Sequence, residues 1–303
     1  GKIRVIAVTA ASNVTGIICP LGLIADLAKK AGAYLVVDGA QLIAHRPIDK
    51  KKSGIDFLFF SAHKMYAPFG TGALIGPKAV MAKADPWQRG GGMIKMVTTD
   101  KVVWEDPPAR FEAGTPNVLG AIALECATKF IREIGFDYIK QHENDIVEYL
   151  LERVKNDPQL SANIQFFGTE APNRVSVLSF NIKDNDHRLV SAILNYEGGI
   201  GTRSGCFCAQ PYVIDLLGMD KKRLAQTMNE VKKDDRRHLS GLVRLSFGVY
   251  NTRAEADRLV KYLKLIVRKK WRGKYVQDKH SGEYTPTNFS PNIEKKLAEL
   301  RKN

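Results

Sequence analysis

Residues 55–64 have the sequence IDFLFFSAHK, an apolar run that ends in a serine, a histidine and a lysine. A second run, AYLVVD at residues 33–38, ends in a carboxylate. Short continuous apolar runs are typical of strands buried in a parallel sheet, and PLGLIADLAKKAG at residues 20–32 has the spacing of a helix. We therefore predict an α/β fold with a mostly parallel sheet, whose chemistry gathers at the carboxyl ends of the strands.

The second half of the chain predicts a domain of a different kind. A long helical pattern begins near residue 141, and strand patterns such as RVSVLSFNI then alternate irregularly with helices. We predict three parts: part of a large domain over residues 1–140, a smaller α+β domain over 141–266, and a basic extended tail with a short helix over 267–303.

Composition narrows the class of protein. The net charge is +14 over 303 residues, but much of it lies beyond Val267 and no recognisable nucleic-acid module accompanies it, so we do not expect nucleic acid as a partner. No apolar run is long enough to span a membrane. Four scattered cysteines do not make a disulfide scaffold, so we expect a protein of the reducing cytoplasm.

The four cysteines differ in setting. Cys19 and Cys126 lie among apolar residues, so we expect both in the core. Cys206 and Cys208 flank one phenylalanine in RSGCFCAQP, where a nucleophile, a metal site and core packing are all alternatives. A disulfide across one residue would be strained, and no second Cys or His cluster would complete a metal site, so we expect no metal.

Asp38 and Lys64 are the most informative residues of the first half. A carboxylate at the end of one buried strand and a lysine just past the next suit a pyridoxal phosphate enzyme, in which the acid holds the pyridine nitrogen protonated and the amine binds the aldehyde. The same spacing also fits a loop-capping Asp38 and a surface Lys64.

Several motifs lie along residues 3–266 in a fixed order. They are SNVTGIICP (12–20), VVDGAQLIAHRPID (36–49), DFLFFSAHKMYAPFGTGALIG (56–76), RFEAGTPNVLGAIAL (110–124), RSGCFCAQP (203–211) and VRLSFGVYNT (243–252). Together they resemble the class V aminotransferase superfamily, and within it the cysteine desulfurases of the Suf type and the selenocysteine lyases. The resemblance implies the pyridoxal phosphate-dependent transferase fold type I.

The resemblance implies a set of residues for pyridoxal 5'-phosphate. Asp38 would pair with the pyridinium nitrogen, and Gln41 would donate a hydrogen bond to the phenolic oxygen of the ring. Ser61 and His63 would bind the phosphate, which needs hydrogen-bond donors and positive charge. Lys64 would bind the cofactor's aldehyde covalently.

The resemblance also implies residues for the substrate and for a second subunit. Asn13 would contact substrate and cofactor, and Arg203 would grip the substrate carboxylate in a bidentate manner. Thr115 would reach the phosphate of a neighbouring subunit, which implies a homodimer. A plain backbone-bonding role stays open for Gln41 and Asn13, and a surface salt bridge stays open for Arg203.

Cys208 matches the nucleophile of the desulfurase pattern. It lies five residues after Arg203 and three before Pro211. The implied reaction removes sulfur from cysteine, or selenium from selenocysteine, and leaves alanine and a persulfide on Cys208, from which a sulfur-acceptor protein could take the sulfur. The alternative within the same superfamily is a pyridoxal phosphate-dependent aminotransferase or epimerase.

The chain departs from the family pattern at the cysteine motif. The relatives commonly carry His-His-Cys where this chain has Cys206-Phe207-Cys208. The molybdenum cofactor sulfurases do resemble R-x-G-C-F-C, so the pair is compatible with sulfur transfer. A resolving thiol or a sulfur relay is an alternative for Cys206.

Two further departures concern whole segments. Residues 220–242 form a link that is longer and more charged than is usual in the family. A solvated helical insertion is the interpretation that we favour, and a segment that covers the active site or a partner surface is the alternative. The family also has a long upstream segment that this chain does not contain. We therefore expect that a separate N-terminal chain supplies this segment, or that the present chain is one half of a split enzyme and is inactive without its partner chain.

Overall fold

The computed structural model describes residues 2–288 and divides them into two compact units. Unit 1 consists of residues 2–12, 17–142 and 173–175. Unit 2 consists of residues 13–16, 143–172 and the described residues from 176 on. The boundary at residues 142 and 143 falls inside a long helix, and each unit is described by itself below.

Unit 1 contains a four-stranded sheet, a two-stranded ribbon and the helices that connect their strands. Two 3-10 turns, Ala62–Met65 and Ala109–Phe111, follow β3 and β6 respectively. The strands and α-helices are β1 (Val5–Thr9), α1 (Leu21–Ala31), β2 (Tyr34–Asp38), β3 (Phe57–Ser61), β4 (Gly72–Ile75), α2 (Lys78–Met81), β5 (Ile94–Val97), β6 (Val102–Trp104) and α3 (Val118–Ile134), and α4 (Phe136–Lys155) begins in this unit.

The main sheet of unit 1 has the strand order β1-β2-β3-β4. The first three strands are parallel, and β4 is antiparallel to β3. The register places Thr9 beside Asp38 and Asp38 beside Phe59, so the carboxyl ends of the parallel strands meet at one edge. The mostly parallel sheet predicted from the apolar runs is confirmed.

Unit 2 contains a second sheet and the helices that cover it. Its helix α5 opens with a proline after an aspartate cap, and α9 opens with a capping box. Its elements after α4 are α5 (Pro158–Asn163), β7 (Ile164–Phe167), β8 (Val177–Ile182), α6 (His187–Tyr196), β9 (Arg203–Gly205), α7 (Gln210–Leu216), α8 (Lys221–Lys232), β10 (Leu242–Ser246), α9 (Arg253–Val267), β11 (Tyr275–Gln277) and β12 (Tyr284–Pro286).

The core of unit 2 forms between an antiparallel sheet and four helices. The strand order is β7-β8-β10-β9. Apolar side chains of α4, α5, α6 and α9 pack against Phe180 of β8, which is fully buried. Burial of one such large side chain contributes about 1.5–3 kcal/mol. The unit is α+β, as predicted.

The prediction that Cys126 lies in the core is wrong. Its side chain is exposed, because the buried residues of α3, Gly120, Ala127 and Ile131, lie on another face of the helix. Cys19 is half-buried, and burial raises the pKa of its thiol.

The segment beyond α9 folds back where we expected an extended arm. Strands β11 and β12 pair as a short antiparallel hairpin, which we call the tail hairpin (residues 275–286). Glu197, at the end of α6, accepts hydrogen bonds from the Gly273 amide (2.9 Å) and the Tyr275 hydroxyl (3.1 Å). The short helix predicted within the tail, at residues 293–302 (IEKKLAELRK), lies outside the described residues.

Residues 220–242, expected as a charged helical insertion, hold α8, none of whose residues is buried. Among the helices of residues 2–288, none is both long and apolar enough to cross a lipid bilayer.

Candidate active site

The nine residues predicted for the site fall into two groups. Unit 1 holds Asp38, Gln41, Ser61, His63, Lys64 and Thr115, and unit 2 holds Asn13, Arg203 and Cys208.

The first group gathers at the carboxyl edge of the parallel sheet. Asp38 is the last residue of β2, and Ser61 is the last residue of β3, its parallel neighbour. The 3-10 turn that follows β3 carries His63 and Lys64. A carboxylate, a hydroxyl, an imidazole and an amine are therefore brought to one edge by two neighbouring strands.

Buried residues fix the direction of that turn. Ala62 and Met65 are buried and anchor it to the unit, whereas His63 and Lys64 are exposed. Within residues 2–288, no ion pair of the Lys64 amine is found. The turn therefore displays a free primary amine.

Asp38 and Gln41 share the tight turn that follows β2. Asp38 is half-buried, and its Oδ1 accepts a hydrogen bond from the Ala40 amide at 2.9 Å. This contact fixes the carboxylate at the strand end. Gln41 is half-buried three residues later.

Thr115 lies in an exposed loop just before α3. Asn117 fastens this loop, because its Oδ1 accepts from the Gly120 amide at 3.0 Å and caps α3, while its Nδ2 donates to the Phe69 carbonyl at 2.6 Å. Phe69 belongs to the loop that follows Lys64. The Thr115 loop is thus held against the Lys64 segment.

The cysteine motif of unit 2 has an unusual backbone. Phe207 and Cys208 have φ of 52° and 62°, so two consecutive residues with side chains adopt the left-handed conformation. Each such residue costs about 1–3 kcal/mol, and it persists only where its surroundings hold it.

Three contacts hold this loop. Asn13 Nδ2 donates to the Phe207 carbonyl, and the Ala209 amide donates to the Cys206 carbonyl at 2.8 Å. The Phe207 ring is buried in a small apolar cluster. The other buried members of the cluster are Val14, Phe167, Val213 and Leu242. The buried phenylalanine turns its neighbour Cys208 out to an exposed position.

The two cysteines of the motif are not equivalent. Cys206 is half-buried, and its Sγ donates to the Ser240 carbonyl at 3.3 Å. Burial raises the pKa of its thiol, an effect that the charge of Arg188 partly opposes. Cys206 is therefore a protonated, packed thiol at neutral pH, whereas Cys208 is exposed.

Sequence reasoning missed Arg244. It lies directly opposite Arg203 in the β9–β10 pairing, so two like charges face each other. Its guanidinium lies 5.0 Å from the centroid of the Phe207 ring, and its Nη1 donates to the Asn13 carbonyl at 2.9 Å. The signal was available, because Arg244 is the arginine of VRLSFGVYNT, one of the motifs that carry the family resemblance.

The electrostatics of Arg244 favour an anion. Its Nε is buried and has no hydrogen-bond partner within the described residues. Burial lowers the pKa of Arg244, the charge of Arg203 lowers it further, and Cys208 opposes both. A carboxylate between the two guanidiniums would relieve the repulsion and satisfy the buried nitrogen.

Comparison with known proteins identifies the family. The family model Aminotransferase class-V matches residues 1–259. The chain belongs to the class-V aminotransferase family. Among the curated members of this family, a probable cysteine desulfurase of Halobacterium salinarum is 36% identical over 249 residues, which cover 82% of this chain and 54% of the relative. A cysteine desulfurase of Escherichia coli is 34% identical over 88% of this chain and 59% of the relative.

Solved structures of this aminotransferase family share the fold. The apo structure of the cysteine desulfurase from Thermococcus onnurineus NA1 has a TM-score of 0.75 at 32% identity, over 88% of this chain and 60% of that one. The cysteine desulfurase CsdA of Escherichia coli has a TM-score of 0.74 at 29% identity, over 89% and 60%. The predicted fold class is thus confirmed. The chain spans 54–60% of the length of these relatives.

Proposed function

We propose that this chain acts in a pyridoxal phosphate-dependent cysteine desulfurase. The enzyme takes sulfur from cysteine, or selenium from selenocysteine, releases alanine and carries the sulfur as a persulfide on Cys208. The observation that carries the proposal is the exposed Cys208 thiol on a strained loop, whose Phe207 ring contacts Arg244, the cross-strand partner of Arg203. The relatives named cysteine desulfurase support it.

The residues of unit 1 fit pyridoxal phosphate in their chemistry. The Asp38 carboxylate suits the pyridine nitrogen, Ser61 and His63 offer donors for the phosphate, and Lys64 offers an exposed amine for the aldehyde. Gln41 follows in the turn after Asp38 and suits the phenolic oxygen. When bound, this cofactor supplies an electron sink that lets bonds at the α-carbon of an amino acid break.

The residues of unit 2 fit the substrate carboxylate. Arg244 has a buried Nε without a partner and faces Arg203, so we assign both arginines to one carboxylate. Asn13 uses its amide nitrogen to hold the Phe207 carbonyl, which supports a role in placing the cysteine loop. The predicted contact of Asn13 with substrate and cofactor stays a prediction.

Lys64 and Cys208 divide the reaction between them. The Lys64 amine takes the proton from the substrate α-carbon and holds it. The Cys208 thiolate then forms a bond to the substrate sulfur while the bond between that sulfur and the β-carbon breaks. The electron pair stays with the carbon skeleton, which takes up protons, and the products are alanine and the Cys208 persulfide.

We propose a homodimer as the working assembly. The outer face of α3 exposes large apolar side chains, among them Leu119 (66%) and Ile122 (53%), which is typical of a protein interface. Thr115 lies two residues before the cap of α3, so a partner on this face would bring it within reach of the neighbouring subunit. A separate N-terminal chain on the same face is the alternative.

The location and the sulfur acceptor are part of the same proposal. Four free thiols in the described residues suit a reducing compartment such as the cytoplasm. An exposed persulfide on Cys208 would be accessible to an acceptor protein.

Alanine formation from cysteine tests the proposal. The purified assembly, supplied with pyridoxal phosphate and cysteine, should release alanine, and Cys208→Ala should abolish it. Cys19→Ala, which removes a thiol that no proposed step uses, is the matched control and should leave the rate unchanged. Equal alanine release by Cys208→Ala would contradict the assignment.

Turnover of amino acids that contain no sulfur would favour the aminotransferase or epimerase alternative. Alanine release that appears only after a second polypeptide is added would favour the split enzyme.

A further inference from the structure

Two segments of unit 2 that lie outside the family pattern are fastened to each other. The tail hairpin (residues 275–286) runs beside residues 234–241, which we call the linker. The Arg236 amide donates to the Lys279 carbonyl at 3.0 Å, and Gln277 Nε2 donates to the Arg237 carbonyl at 3.0 Å. Neither segment was assigned a role by the motifs.

Packing and charge reinforce these backbone contacts. His280 Nδ1 lies 2.6 Å from a carboxylate oxygen of Asp234. Gly282 lies so close to the linker that an added β-carbon would be 2.7 Å from the Arg236 carbonyl oxygen. The hairpin and the linker therefore leave no room for a side chain at this point.

Arg188 of α6 contacts both the tail hairpin and the linker. Its side chain is only 6% exposed, Nη1 donates to the Arg236 carbonyl at 2.9 Å, and Nε lies 3.6 Å from Glu283. A buried guanidinium is stable only where partners offset its lost hydration. The tail hairpin and the linker supply those partners.

The other end of the linker meets the cysteine motif. Ser240 accepts the hydrogen bond from Cys206 Sγ, and the next residue, Gly241, lies so close that an added β-carbon would be 2.6 Å from Gly205 Cα. Strand β10 begins immediately afterwards, and Leu242 is paired with Gly205. The linker thus contacts the cysteine motif through Cys206 and Gly205.

We infer that the tail hairpin is a positioning element for the cysteine loop: it braces the linker, and the linker fixes the backbone that displays Cys208. The chain of contacts runs from residues 277–282 through Arg236 and Arg237 to Ser240 and Cys206. The purpose of this positioning, which is to present Cys208 to a substrate, rests on the proposed function. The coupling between the tail hairpin and the cysteine loop does not depend on that function.

The reactivity of Cys206 tests this coupling. In Gly282→Ala the added methyl group pushes the hairpin away from Arg236. The alkylation of Cys206 by iodoacetamide is then followed by mass spectrometry. We expect it to become roughly tenfold faster, because the loss of one or two hydrogen bonds would loosen the linker around Cys206. Cys126 is exposed in unit 1 and serves as the internal standard, whose rate should not change.

Gly32→Ala is the matched control. Gly32 has φ of 63°, close to the 75° of Gly282, but a β-carbon there meets nothing within 4 Å. Gly32→Ala therefore introduces the same kind of backbone strain without a steric clash, and Cys206 should react with iodoacetamide at the wild-type rate. If Gly282→Ala does not fold, Glu283→Gln, which removes the carboxylate that pairs with Arg188, should also make Cys206 react faster, but by a smaller factor.

Two outcomes of a hydrogen-exchange measurement would contradict the inference. Faster exchange at residues 275–286 of Gly282→Ala, with unchanged exchange at 203–209 and unchanged Cys206 reactivity, would show that the hairpin does not brace the loop. If residues 275–286 of Gly282→Ala exchange hydrogen as slowly as in the wild type, the close packing of Gly282 against Arg236 would be contradicted. Because neither readout uses cofactor or turnover, wild-type protein that forms no alanine would refute the proposed function without touching this result.

Discussion

At the scale of single residues, the cysteine motif and the neighbouring Arg244 break three local rules at once. Phe207 and Cys208 are left-handed without being glycine, Arg203 faces Arg244, and the Arg244 Nε is buried without a partner. Such violations persist where the surrounding structure imposes them, and they cluster at functional sites. The strain is thus a physical argument for function that is independent of the family.

Phe207 should be the residue that holds the strained loop. Phe207→Ala removes a ring that is 5% exposed and should lower the free energy of unfolding by about 3–5 kcal/mol, measured by urea denaturation. Phe69→Ala is the control, because Phe69 is also left-handed but 62% exposed. Equal losses for the two variants would show that the Phe207 cluster does not hold the loop.

Arg244 should bind the substrate carboxylate. Arg244→Lys keeps the charge but loses the planar guanidinium, so we expect KM for cysteine to rise roughly ten- to a hundredfold, the effect of one or two lost hydrogen bonds to a charged group. Steady-state alanine formation measures it. Arg253→Lys, at an exposed ion pair with Asp145, should leave KM unchanged. An unchanged KM for Arg244→Lys would remove Arg244 from the substrate site.

At the scale of the elements, helix ends in unit 2 are fixed by capping carboxylates. Asp157 caps α5 by accepting from the Gln159 and Leu160 amides, and it also pairs with Lys264 of α9 at 2.8 Å. The hydrogen bond from Lys264, followed by that from the Leu160 amide, lowers the pKa of Asp157. One side chain thus both starts a helix and links it to another.

The Asp157 pair should give a pH-dependent stability. Because the folded pKa lies below the unfolded value of about 3.9, this contribution is present above that pH and is lost as the pH falls through the folded pKa. Asp157→Asn keeps a good cap, so it should destabilise the protein at pH 7 but not at low pH, measured by urea unfolding. A difference that persists at low pH, or further loss when Lys264→Gln is added, would contradict the pairing.

At the scale of the whole molecule, the sequence predicted the elements with strong local patterns. The buried strands that end at Asp38 and Ser61 were predictable, because apolar runs and strand ends are local features. The hydrogen bond from Asn13 to the cysteine loop was not, because Asn13 lies 194 residues from its partner Phe207. The position of Arg244 opposite Arg203 also depends on strand pairing, although the arginine itself stood in a motif of the family pattern. Cys126 was mispredicted, since apolar neighbours in sequence do not reveal which helix face is covered.

The exposed face of α3 should mediate assembly. Ile122→Asp places a charge on this face and should reduce the proportion of dimer, measured by native mass spectrometry. Val276→Asp is the control, because Val276 is 54% exposed on the tail hairpin, which belongs to unit 2 and is no part of α3. A dimer that is unchanged in Ile122→Asp would place the interface elsewhere, and a complex with a second polypeptide would favour the separate N-terminal chain.

The central claim is that Cys208 carries the sulfur. The most direct measurement is fragmentation mass spectrometry of the native assembly after incubation with pyridoxal phosphate and cysteine, without reductant. Cys206 and Cys208 fall on one tryptic peptide, and fragment ions that break the backbone on either side of Phe207 distinguish a mass added to one cysteine from a mass added to the other. The account predicts one additional sulfur atom on Cys208 and none on Cys206. Sulfur on Cys206 alone, or alanine release without sulfur on either residue, would contradict it.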